Sequence, residues 1–212
     1  MKITIIYDNE SRSENLKADW GFSCLIESYG IKLLFDTGTS GTLLLENMRT
    51  LGINPASIDE VFLSHSHFDH IGGLSAILNE NGRLRVYAPP QIRGISPARE
   101  IIYVDDAMEL NENFYTTGLL EDMEQSLAIR TEKGLVVIVG CSHPGVGNIL
   151  EAVKSYGTPY ALIGGFHGFD DYDELKDLKY ICPTHCTQHI PEIKSKYPDK
   201  YIQGGAGTVI EL

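Results

Sequence analysis

Along the chain, apolar residues first gather into short β-rich runs and later alternate with longer amphipathic stretches. "KITIIYD" opens as a strand. "GFSCLIES" and "IKLLFDTG" flank Tyr29 and Gly30 and predict a hairpin. "TSGTLLLENMRTLGI" begins with Thr and Ser as capping candidates, carries a leucine-rich stretch and ends at Gly52, which predicts a helix. "EVFLSH" predicts a short buried strand, "GGLSAILNENG" a helix and "LRVYAPP" a strand stopped by its prolines.

Residues 91 to 126 break this rhythm. "REIIYV" and "NENFYTTG" are β-like pieces among acidic turns and predict irregular or edge structure. Order returns in "SLAIRTEKGLVVIVG", a predicted hairpin around Lys133 and Gly134 whose second strand, Leu135 to Val139, is continuously apolar. After it come a helix in "GNILEAVKSYG", a strand in "YALIGG", a short helix in "YDELKDLK" and a strand and loop in "YICPTHC". A helix in "IPEIKSKYP" and a closing strand in "GTVIEL" complete the series. Strands first, then alternating strands and helices, predict an α/β protein of two packed sheets with helices outside.

At 212 residues the expectation is a single domain spanning 1–212. No apolar run approaches the roughly 18 residues of a membrane span. The first residues lack the form of a signal peptide. Cys24, Cys141, Cys182 and Cys186 are too scattered for a disulfide framework, so a reduced, cytoplasmic setting is expected. The formal charge of −12 disfavours a nucleic-acid partner, whose phosphates need Lys and Arg, and favours a small-molecule substrate. Composition indicates neither a membrane partner nor an oligomeric state.

The chemistry concentrates in "LSHSHFDHIGG", where His65, His67, Asp69 and His70 form H-x-H-x-D-H at the end of an apolar strand. Residues two apart share a face there, so His65 and His67 can point at one metal while the following turn aims Asp69 and His70 at a second point. Imidazole and carboxylate suit zinc first, with iron or manganese as alternatives. Two divalent ions would hold a hydroxide for attack on an acyl, phosphoryl or similar centre.

This stretch resembles the metal motif of the metallo-β-lactamase superfamily, a four-layer αββα sandwich with its metal site at one edge of the paired sheets. The resemblance implies that later loops complete the site. His143 in "GCSHPG" would join His65 and His67 on the first metal, and His185 in "CPTHCT" would join Asp69 and His70 on the second. Where many members carry glycine–aspartate after a strand, this chain has "IGGFHGFDD". His167 stands there, with Asp170 and Asp171 beyond it. His167 is a candidate for replacing the bridging acid, for hydrogen-bonding a substrate anion, or for closing the loop. "GCSHPG", "GGFH" and "HCT" together resemble the subgroup of 7,8-dihydropterin-6-methyl-4-(β-D-ribofuranosyl)aminobenzene-5′-phosphate synthase-like proteins.

The expected activity is hydrolysis of a small, possibly phosphorylated, substrate, with Asp69 and His167 as catalytic candidates beside the ligands. A pterin condensation on the same metals and a non-catalytic metal- or ligand-binding protein are the alternatives. Asp36 in "LLFDTG" is a candidate for orienting a ligand histidine or for anchoring its own turn. "SHPGVGNIL" admits a phosphate at a helix start or, with more weight, a plain turn and cap at Gly145 to Asn148. Cys182 and Cys186, which flank the "PTH" turn, are candidates for soft ligands or, with more weight, small buried residues beside the site, and His189 is read as a surface residue.

Overall fold

A computed structural model describes all residues, 1–212. They form two compact units, one of residues 1–104 with 204–212 and one of residues 105–203.

The first unit contains β1 (Lys2–Tyr7), β2 (Ser23–Ser28), β3 (Ile31–Phe35), α1 (Gly41–Thr50), β4 (Glu60–Phe62), α2 (Phe68–Ile71), α3 (Leu74–Glu80), β5 (Arg85–Ala88) and β6 (Glu100–Tyr103). The second contains β7 (Met108–Asn111), β8 (Phe114–Thr116), β9 (Leu127–Thr131), β10 (Gly134–Val139), α4 (Val146–Val153), β11 (Pro159–Gly165), β12 (Tyr180–Thr184) and α5 (Ile190–Lys196). β13 (Val209–Glu211) returns to the first unit. "YDELKDLK" forms only a short 3₁₀ turn, Tyr172–Leu175, in place of the α-helix its pattern suggests.

The first sheet runs β13-β1-β2-β3-β4-β5-β6, antiparallel from β13 to β3 and parallel from β3 to β6. The hairpin turns at Tyr29 and Gly30 with Ser28 opposite Ile31, as its sequence predicts. Helices α1 and α3 lay Leu44, Met48, Leu74, Ile77 and Leu78 against Ile6, Leu25, Leu34, Val61 and Val86 of the strands. Ser40 caps α1 by accepting the Leu43 N–H. Buried Asn47 of α1 donates to the carbonyls of Ile6 and Lys17 and accepts the Lys17 N–H, tying the long β1–β2 connection to the helix.

The second sheet runs β12-β11-β10-β9-β8-β7, parallel among β10, β11 and β12 and antiparallel beyond. Val146, Ile149, Leu150 and Val153 of α4, with Ile193 of α5, pack on Leu135, Val137, Val139 and Leu162. β6 and β7, from the stretch expected to be irregular or edge-forming, each form one edge of their sheet, and neither has a fully buried residue. In β10 and β11 long runs are buried without alternation, which is why their sequences read as unbroken apolar blocks.

Candidate metal centre

In the first unit the ladder of β4 continues past Phe62, with the Leu63 N–H bonded to the Tyr87 carbonyl, and delivers Ser64 and His65 from the sheet. The chain then turns at His67, whose carbonyl accepts the His70 N–H, and enters the one-turn helix α2. His65 and His70 are buried, Asp69 partly so, and His67 is exposed. The His65 and His70 rings lie 4.1 Å apart between centroids, and those of His65 and His67 lie 4.6 Å apart.

Gly72 and Gly73 allow this loop to seat. Both have ordinary helical φ, but a Cβ on Gly72 would stand 2.1 Å from the Thr39 carbonyl oxygen, and one on Gly73 2.3 Å from that of Thr37. Thr37 grips the loop from that side, its N–H and hydroxyl both donating to the His70 carbonyl, at 2.7 and 3.0 Å.

Asp36, which is fully buried and has a φ of 53°, organises the ring nitrogens. Its Oδ1 accepts the Ser64 N–H at 2.7 Å, and its Oδ2 accepts the Ser64 hydroxyl at 2.7 Å and lies 2.7 Å from His70 Nδ1. A carboxylate only accepts, so His70 carries its proton on Nδ1. The one hydroxyl proton of Ser64 is used on Asp36, so in the 2.9 Å contact between Ser64 Oγ and His65 Nδ1 the proton belongs to His65. With the rings neutral, as metal binding requires, this leaves Nε2 of each as the bare nitrogen on the opposite side. Asp36 thus orients a ligand candidate and is more than a turn anchor.

The donor set fits a divalent ion. His65 Nε2 and His67 Nδ1 lie 3.0 Å apart. Tetrahedral zinc with nitrogens at roughly 2.0–2.1 Å separates such donors by about 3.3 Å. His70 Nε2 stands 3.8 Å from Asp69 Oδ2, a second nitrogen–oxygen pair of comparable spacing.

In the second unit three loops at the ends of the parallel strands carry the remaining candidates. His143 follows β10, His167 follows β11 and His185 follows β12. Ser142, His167 and His185 adopt left-handed backbone, with φ of 59°, 47° and 50°. Such a concentration of uncommon conformations at strand ends is the pattern of a site whose surroundings hold it in place. The His143 and His167 rings are neighbours, with centroids 5.2 Å apart. His185 lies with Cys141 and Cys186, their ligand atoms all within 4.8 Å of one another. Asp170 and Asp171 are exposed.

Sequence reasoning passed over Glu124. Fully buried, it accepts the N–H groups of Gly140, Cys141 and Ser142 on Oε1, at 3.0 to 3.1 Å, and that of His143 on Oε2 at 3.0 Å. One carboxylate thereby fixes the whole loop that aims His143. The Ser142 hydroxyl adds a bond to the Gly165 carbonyl, and Thr187 accepts the Phe166 N–H while donating to Thr184. The start of α4 is already served by an acid: the Gly147 backbone bonds to the Glu174 carboxylate, whose pKa is raised by burial and by Asp171. The plain turn-and-cap reading of "SHPGVGNIL" accordingly replaces a phosphate seat there. His189 heads α5, half-buried.

A histidine- and aspartate-rich loop at a strand end, held by a buried carboxylate, in an α/β chain with two mixed sheets defines a class of protein with a candidate metal centre at a sheet edge. Comparison with known proteins narrows the class. Residues 21–101 match the model of the metallo-beta-lactamase superfamily. A 7,8-dihydropterin-6-methyl-4-(beta-D-ribofuranosyl)-aminobenzene-5′-phosphate synthase of Methanocaldococcus jannaschii is 35% identical, the match covering 91% of this chain and 90% of that protein. That alignment spans 263 positions, more than this chain has residues, so the archaeal protein carries insertions relative to it. The solved structure of Tm1679, a metal-dependent hydrolase of the beta-lactamase superfamily, superposes over 100% of this chain and 99% of its own with a TM-score of 0.83 and 27% identity. Zn(2+)-bound PqqB from Methylobacterium extorquens shares the fold, with a TM-score of 0.68 at 12% identity. The chain belongs to the metallo-β-lactamase superfamily, and the predicted α/β fold class is the one it has. No helix is long and apolar enough to cross a membrane.

Proposed function

We propose that this protein is a metal-dependent hydrolase of a small, possibly phosphorylated, substrate. The observation that carries the reading is the set of His65, His67, Asp69 and His70, with ring nitrogens oriented through Ser64 and Asp36. His65, His67 and His143 would hold one divalent ion and Asp69, His70 and His185 a second, zinc being the first choice for these donors. Bound there, the ions would acidify water and stabilise negative charge developing on the substrate.

The chain's own residues supply the rest. Asp36 and Glu124 fix their loops, so little reorganisation is needed at the moment of reaction. The Asp69 carboxylate, partly exposed, accepts a proton from the attacking water. His167, exposed beside His143, donates a hydrogen bond to an anionic group of the substrate.

A second reading, a pterin-condensing synthase on the same residues, is favoured by the 35% identity to the archaeal synthase. Metal-loaded protein assayed against carboxyl esters, against phosphodiesters, and against a dihydropterin carrying a leaving group supplied together with a 4-(β-D-ribofuranosyl)aminobenzene 5′-phosphate separates the two. Turnover of an ester or phosphodiester, abolished in Asp69→Asn, supports hydrolysis. Condensation of the dihydropterin with the aminobenzene, with no ester or phosphodiester turnover, moves the assignment to the synthase. Metal binding with no turnover on any of them leaves a binding protein and overturns both.

A further inference from the structure

Three strand-end residues of the second unit form a donor set of a different character from the histidine cluster. Cys141 follows β10, and His185 and Cys186 follow β12. All three are buried, at 3%, 7% and 9% exposure. Their two sulfurs and one imidazole nitrogen lie within 4.8 Å of one another. The arrangement is built into the backbone. A Cβ on Gly165 would stand 2.6 Å from Cys186 Sγ, 2.5 Å from the Gly140 carbonyl oxygen and 3.3 Å from Cys141 Cα, so only glycine there lets the two cysteine loops close on each other. Cys186 Sγ also faces the Cys141 carbonyl at 3.9 Å, a weak contact that keeps the sulfur turned toward its partner loop.

We propose that Cys141, Cys186 and His185 form a further site, overlapping the histidine cluster, for a thiophilic divalent ion, Zn(II) or Cd(II). Two thiolates and an imidazole are a recognised zinc donor set, and they favour softer ions than the histidine and carboxylate donors of the H-x-H-x-D-H loop. Each thiol loses its proton to solvent as the ion binds. The site shares His185 with the second ion of the proposed hydrolase and to that extent rests on that reading. Occupation of the cysteine site draws His185 away from that ion, so an excess of thiophilic metal would be inhibitory.

The test is a Cd(II) titration of the full chain as purified, followed by thiolate-to-cadmium charge-transfer absorption, which histidine and carboxylate ligands do not produce. The wild type is expected to develop the band to saturation with one ion. Cys141→Ser and Cys186→Ser should each retain about half of it, the double variant none, and Cys182→Ala all of it. Absence of the band in the wild type, or an undiminished band in the double variant, would overturn the proposal. Should the serine variants not fold, cadmium NMR of the wild type decides the matter. A resonance in the range of mixed sulfur and nitrogen donors supports the site, and resonances of nitrogen and oxygen donors alone contradict it. Failure of the hydrolase reading leaves the band untouched, so the two results are distinguishable.

Discussion

The Asp36 carboxylate and the His70 imidazole face each other at 2.7 Å with both side chains excluded from solvent. The same oxygen takes the Ser64 hydroxyl, and Ser64 in turn receives the His65 Nδ1 proton. A single acid on the β3–α1 loop therefore sets the tautomer of two rings that lie about thirty residues further along the chain.

Asp36→Asn tests this directly. The amide offers a donor where His70 Nδ1–H now donates, which favours moving the ring proton to Nε2, the atom that coordination requires bare. Metal affinity should fall by roughly 10–100-fold. Competition with a chromogenic chelator measures it, and an unchanged affinity would show that the tautomer is set elsewhere.

Glu124→Gln replaces one oxygen that receives main-chain N–H groups by an NH₂ that cannot. With four such donors gathered on the carboxylate, the loss should be about 2 kcal/mol or more. Urea unfolding in the presence of chelator isolates this effect from metal binding. A midpoint equal to that of the wild type would refute the role given to Glu124.

Gly164 and Gly30 both have positive φ, but they should respond differently to alanine. A Cβ on Gly164 would lie 2.0 Å from the Val139 carbonyl oxygen, whereas one on Gly30 meets nothing within 4 Å. Gly30→Ala should cost only the left-handed backbone term, about 1–2 kcal/mol. Gly164→Ala adds a main-chain clash and should cost at least about 3 kcal/mol. Thermal unfolding of the pair checks the order.

Tyr7 is buried with its hydroxyl donating to Asp19, and burial first, then the Asp19 charge, push its pKa from 10.0 to about 12. The folded state holds this proton more tightly than the unfolded chain. Its contribution to stability is therefore complete below pH 10 and is lost as pH rises through about 12. Tyr7→Phe should flatten the stability-versus-pH curve between those values, as read from denaturant midpoints.

What could be read from the chain beforehand follows from how local each signal is. His65, His67, Asp69 and His70 sit within six positions at a strand end, so spacing alone brings them together. The buried runs of β10 and β11 were equally plain. Glu124 was hidden because its partners are main-chain N–H groups, which leave no mark on the side chains at 140–143. It also lies among acids that look like a solvated turn. β6 and β7 were blurred because edge strands, half exposed, keep no apolar alternation. The triad of Cys141, His185 and Cys186 depends on the pairing of β10, β11 and β12, which no local pattern specifies.

The H-x-H-x-D-H loop is proposed as a metal centre. Elemental analysis of protein purified without chelator or added metal tests it most directly, on the wild type and on the His65→Ala/His67→Ala double variant. Two divalent ions per chain are expected in the wild type, with zinc foremost, and loss of at least one in the variant. A freshly purified wild type without divalent metal, or a variant that retains the full wild-type content, would contradict it.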